Sequence, residues 1–199
     1  MADNDEANFL DHDEIESVSD NFHDWSFEQA MLMRAPIPGE ERTLINWNCP
    51  NPLHTIKILR HMSTLHEVSF GTLIQVANSH GFSIAKNIFS ETITLMDNLD
   101  SAAVENFTEE YFDHLIYKPT IGSNVKQMIV VTDHETSDAM ASIAGSLGTS
   151  RAQFAGACVL MSLCQSDLMP QKAKTSLQKH IKHFEKGVKT YSSLAASLL

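Results

Sequence analysis

The sequence predicts a mainly α-helical protein with a short strand just ahead of its most apolar helix, and three observations in Val125–Gln165 lead there. Val125–Thr132 (VKQMIVVT) is dominated by β-branched and apolar residues, the composition of a strand. At Thr132 the period changes, and Met140, Ile143, Ala144 and Leu147 then fall at i, i+3, i+4 and i+7, one stripe of an amphipathic helix. Beyond Gly148, the run from Phe154 to Leu163 is apolar nearly all round. It needs more cover than one helix and one strand can supply.

Each boundary has a local cause. Thr132 and Glu135 form an S/T-x-x-E capping box that opens the first helix, and Gly148 stops it. Ser150 and Gln153 form the box that opens the second. The signature recurs upstream. Thr64 and Glu67 make a box, Phe70, Leu73, Ala77 and His80 share one helical face, Gly81-Phe82-Ser83 reads as a break, and a second apolar helix runs from Ala85 to Leu99. The two caps are offset by 68 positions and the two glycines by 67, which predicts an internal repeat.

Strand, capped helix, Gly-x-Ser break and apolar helix resemble the ribbon-helix-helix family of Arc and MetJ type repressors, here in two tandem copies. The resemblance implies a mainly α protein with a ribbon-helix-helix-like core of short antiparallel strands plus additional helices. In that family two copies pair their strands and interlock their helices, which would supply the missing cover. The ribbon lies in the DNA major groove and the N-terminus of the second helix sits on a phosphate. One chain then folds as an intramolecular pseudo-dimer, or each copy pairs with its equivalent in another chain.

In chain order, residues 1–24 form an acidic arm of the kind that cannot bury enough surface to order itself. Residues 25–53 hold a short helix opened by a Ser26/Gln29 box, then a Pro-, Gly- and Asn-rich connector from Ala35 to Pro52. Residues 54–100 are the first copy, with Thr55–His61 as its expected strand and a helix straight through that stretch as the rival reading. Residues 101–124 are a linking helix ended by Lys118-Pro119, and residues 125–167 are the second copy. Residues 168–199 are a basic helix whose apolar positions, from Ala173 through Leu177, Ile181, Phe184, Val188 and Tyr191 to Ala195, trace a heptad-like seam.

Composition bounds the chemistry. The 199 residues carry a net charge of -11, yet residues 1–42 hold twelve acidic groups against Arg34 and Arg42, so the rest is close to neutral. Cys49, Cys158 and Cys164 have no disulfide or zinc spacing, which predicts a reducing, cytoplasmic setting. The N-terminus has no signal-peptide pattern, and the longest apolar run, Phe154 to Met161, is too short to span a bilayer, so no membrane role is expected. His61 with His66, and His180 with His183, lack a third ligand at a recognised spacing, so no metal or cofactor is expected. No nucleophile-elbow, P-loop or dinucleotide-binding motif appears, and no enzyme class is supported.

Two functions follow. The first is a DNA-binding regulator of transcription or of plasmid or phage maintenance. By the resemblance, Gln127, Ile129 and Val131 face outward from the ribbon while Met128, Val130 and Thr132 face the core. Lys126, Gln127, Ser150 and Arg151 are then the DNA contacts, with Lys57, Lys179, Lys182 and Lys186 in support. Ile129 and Val131 can neither donate nor accept a hydrogen bond, and this points to the second function, a non-catalytic assembly protein. It would oligomerise through Ile129, Val131, Phe154, Leu177, Ile181, Phe184 and Val188, while its acidic arm docks a basic partner or the chain's own C-terminal helix.

Overall fold

The computed structural model describes residues 22–34, 37–49, 52–98 and 127–197. Among them are seven α-helices and two strands: α1 (Phe27–Leu32), β1 (Arg42–Asn48), α2 (Pro52–Leu65), α3 (Phe70–Ile88), α4 (Ser90–Asp97), β2 (Gln127–Asp133), α5 (His134–Ser146), α6 (Arg151–Cys164) and α7 (Gln171–Ala196). The protein is mainly helical with one two-stranded antiparallel sheet, and among the described residues three helices follow each strand.

β1 and β2 pair in register from Arg42↔Asp133 through Ile45↔Val130 to Asn48↔Gln127. Ile45, Trp47, Met128, Val130 and Thr132 are buried, and this inner face lies on α3 and α6. The cover that the apolar run requires comes from within the chain: α3 and α6 make the most extensive helix contact, and Phe154–Leu163 is buried throughout. Two glycines allow the close approach. A Cβ on Gly81 would fall under 3.0 Å from the Cys158 backbone, and one on Gly156 under 3.0 Å from the Trp47 indole.

α7 closes the core. Leu177, Ile181, Val188, Tyr191 and Ala195 are buried, with α7 packed on α6 and α4. The half-buried Phe184 stacks against Phe154 and meets Phe89 edge-on. Leu147 caps the C-terminus of α5, and beyond it Gly148 takes a left-handed φ of 64°, with the Tyr191 ring where a side chain would stand.

The expected first strand, Thr55–His61, lies inside α2. Its buried residues Thr55, Ile58, Leu59 and Met62 stand at i, i+3, i+4 and i+7, so the helical period overrides the β-branched composition. The strand is β1, within the stretch read as a connector. Glu67 adopts φ 54° in the turn after α2, and the cap of the next helix is Ser69, whose hydroxyl accepts from the Thr72 N–H. Gly81-Phe82-Ser83 is no break, because α3 runs through it to Ile88. In the second half, Asp133 rather than Thr132 caps α5, its carboxylate accepting from the Thr136 N–H at 2.6 Å. Elements from both sides of residue 99 share one core, and β1, the strand of the earlier half, begins at Arg42, ahead of residue 54. The linking helix and residues 1–21 of the acidic arm lie outside the described residues.

The Ser26/Gln29 box of α1 is formed in both directions. Phe27, Ala30 and Met31 dock the helix, and hydrogen bonds at Trp25 and Glu28 hold it. His80 is fully buried. Its Nε2–H donates to the Trp25 carbonyl (2.9 Å), so its Nδ1 accepts from the Ser162 hydroxyl (2.9 Å). Glu28 accepts from the Ser166 hydroxyl (2.5 Å) and the Asp167 N–H (3.1 Å), with His66 Nε2 at 3.8 Å.

Candidate nucleic-acid interface

An antiparallel pair presents its residues to alternate faces, so burying Ile45, Trp47, Met128 and Val130 fixes what points away from the core. The outward face is built from the register pairs Arg42↔Asp133, Leu44↔Val131, Asn46↔Ile129 and Asn48↔Gln127. Leu44, Asn46, Asn48, Gln127 and Ile129 are exposed, while Val131 and Asp133 are half-buried. Three amides, Asn46, Asn48 and Gln127, therefore gather at one end of the two-stranded surface. At the other end, Arg42 Nε donates to the Ile37 carbonyl (2.8 Å).

His134 stitches that end together. Its Nε2–H donates to the Glu40 carbonyl (3.1 Å), leaving Nδ1 to accept from the Thr43 hydroxyl (2.6 Å). The first residue of α5 is thus tied to β1 and the turn before it, joining the two halves beside the ribbon.

The helices behind the ribbon begin at matching caps. Ser69 opens α3, and Ser150, whose hydroxyl accepts from the Gln153 N–H (3.3 Å), opens α6. The Gln153 amide oxygen accepts from Thr149 Oγ1 (3.0 Å). Ser83, which the sequence repeat equates with Ser150, is instead half-buried within α3, so the matching cap is Ser69.

The predicted contact residues divide among several places. Gln127 is on the outward ribbon face. Ser150 and Arg151 are at the start of α6, where Arg151 is exposed and donates from Nη1 to the buried Ser137 hydroxyl (2.9 Å). Lys57 is exposed on α2, and Lys179, Lys182 and Lys186 are exposed on α7. Lys126 lies outside the described residues. Of the predicted assembly residues, Ile129 is 54% exposed and Val131 half-buried, both on the ribbon. Phe154, Leu177, Ile181 and Val188 are buried and Phe184 half-buried in the chain's own core, so the heptad-like seam is spent within the chain. Arg42, Leu44, Asn46 and Asn48 were missed with β1. The one signal for them in the sequence is Ile45 and Trp47 alternating with Asn46 and Asn48, too short a run to stand out.

Other groups have structural environments. Burial pushes the Cys49 and Cys164 thiols up to about 11 and Cys158 higher still, the reverse of what a nucleophile needs. His80 and Ser162 form a dyad-like pair, but both are fully buried and neither lines the clefts beside Phe22. Among the described residues no group of three His, Cys, Asp or Glu side chains is placed to hold a metal, and no helix is long and apolar enough to cross a membrane. The chain matches no family model, no curated protein and no solved structure.

Proposed function

We propose that this chain is a DNA-binding regulator of transcription or of plasmid or phage maintenance, with a ribbon-helix-helix-like core whose two halves lie in one polypeptide. The observation that carries the reading is the outward cluster of Asn46, Asn48 and Gln127, on two strands paired in register over an interlocked pair of helices. A two-stranded ribbon fits the major groove of B-DNA, and Asn and Gln side chains can each bind adenine N6 and N7 together, worth about 1–3 kcal/mol of discrimination per good pair. The N-termini of α3 and α6 offer free N–H groups to flanking phosphates, with Arg151 beside the second. The charge is compatible with this role because the acidic excess is concentrated in residues 1–42.

The test is fluorescence anisotropy with duplex DNA at two salt concentrations. Binding tighter at low salt, and weakened by Asn46→Ala/Asn48→Ala/Gln127→Ala, supports the reading. No binding at low salt, with residues 1–21 deleted as well as present, ends it.

A second use of the same face is favoured by Leu44 and Ile129, which are 58% and 54% exposed. Here the ribbon is a protein contact and the core only an assembly unit. Scattering mass above one chain that falls to one chain in Leu44→Ser/Ile129→Ser supports this use; an unchanged monomer removes it.

A further inference from the structure

The surface of α7 opposite its buried seam carries a stripe of lysines. Lys172, Lys179 and Lys186 stand seven residues apart, and Lys182 and Lys189, also seven apart, lie one step round the helix; all five are exposed. At 100° per residue they occupy an arc of about 100°, centred away from Leu177, Ile181 and Val188. The 26 residues of α7 make a rod of about 39 Å. Among the described residues none of the five makes an ion pair, and the one carboxylate of the helix, Glu185, is half-buried at the edge of the arc. Four other basic side chains are engaged: Arg34 donates to the Met31 carbonyl, Arg42 to Ile37, Arg151 to Ser137, and Lys86 sits over the Phe82 ring, while Lys57 and Arg60 stand exposed apart from the stripe on α2.

We propose that this stripe is the seat of the chain's own residues 1–21. That segment holds eight Asp and Glu and no Lys or Arg, the charge complement of the stripe. It joins the core at Phe22, whose ring is anchored on Trp25 (5.2 Å) and His80 (5.3 Å). Twenty-one residues can span up to about 70 Å, well beyond the length of α7. Tethering also gives the segment an effective concentration in the millimolar range, an advantage over any free polyanion. The arm thereby withholds α7 from phosphates. The seat itself does not depend on the ribbon reading DNA.

Zero-length carbodiimide cross-linking of the full chain tests this, with isotope-labelled and unlabelled protein mixed in equal amounts and the links mapped by mass. The expected result is same-chain links from carboxylates of residues 1–21 to Lys179, Lys182 and Lys186. They should fall several-fold in about 0.5 M salt, where the screening length shrinks to a few ångströms. They should also be lost, without reappearing at Lys57 or Lys86, in Lys179→Gln/Lys182→Gln/Lys186→Gln. Links spread over all exposed lysines, links mainly between labelled and unlabelled chains, or no links would overturn the proposal. So would protection of these lysines from acylation by added duplex DNA while no carboxylate link forms, because the stripe would then be a phosphate contact and not the arm's seat.

Discussion

Gly81 on α3 faces the backbone of Cys158 on α6 so closely that a Cβ at position 81 would stand under 3.0 Å from the Cys158 carbonyl. The obstacle is backbone, which cannot swing aside. Gly81→Ala therefore forces the two central helices apart, at a cost of about 3 kcal/mol or more. Gly187→Ala is the control. Its Cβ meets nothing within 4 Å on the exposed face of α7, and it should stabilise by about 0.5–1 kcal/mol by restricting the unfolded chain. Thermal melts check both, since each 1 kcal/mol moves the midpoint by roughly 2–4 °C at this size.

Acid should destabilise the fold from just below pH 6.5. Burial holds the His80 imidazole below the usual 6.5, only partly offset by its bond to the Trp25 carbonyl and by the Glu28 charge. Burial lowers His66 as well, against the pull of Glu28, and lowers His180, with His183 and His54 adding to the effect. Above 6.5 these groups are neutral in both states; below it the unfolded chain takes up protons first, so stability falls with pH. For Glu28, burial pushes the carboxyl up, but the bonds from Ser166 and the neighbouring backbone outweigh it and hold it below 4.5. Its stabilisation is thus present above 4.5 and lost as pH falls further. Denaturant melts between pH 7 and pH 5 should show the decline. In His80→Gln the slope should flatten by up to one proton, about 1.4 kcal/mol per pH unit; an unchanged slope would contradict the assignment.

The three thiols should resist alkylation in the native state. Cys49 and Cys158 are buried, and Cys164 is half-buried with its thiol pushed up to about 11. Under native conditions at neutral pH, iodoacetamide should modify Cys164 first and slowly, and all three residues rapidly in denaturant. Fast native labelling of Cys158 would mean that the α3–α6 contact opens readily.

Removing a cap should cost what an N-cap costs. Ser69→Ala and Ser150→Ala each strip the acceptor from one N–H at the start of a central helix, and a loss of about 1 kcal/mol apiece is expected in chemical denaturation.

The second half of the fold was far more legible in the sequence than the first. Met128, Val130 and Thr132 alternate with more exposed neighbours as read, and the demand of Phe154–Leu163 for cover on every side is met by α3. The first half misled for two physical reasons. β1 is flanked by Pro38, Gly39 and Pro50, and its outward Asn46 and Asn48 carry turn-like polarity, so two buried residues, Ile45 and Trp47, were too few to reveal a period of two. Gly81 was read as punctuation, although its role is close approach between helices, which only the partner backbone reveals. Matching Gly81 with Gly148 drew attention to Ser83 and away from Ser69, the residue that caps α3, and left Asn46 and Asn48 out of the candidate site.

If the ribbon's outward amides meet DNA, as proposed, nitrogen-15 NMR of their side chains will register the contact at each residue. On titration with duplex DNA at low salt, the side-chain NH₂ signals of Asn46, Asn48 and Gln127 should shift or broaden saturably, ahead of those of Asn87 and Asn98, which lie in and just after the helices that follow β1. Unmoved ribbon amides, with changes confined to α7 or absent altogether, would mean that the ribbon does not read DNA.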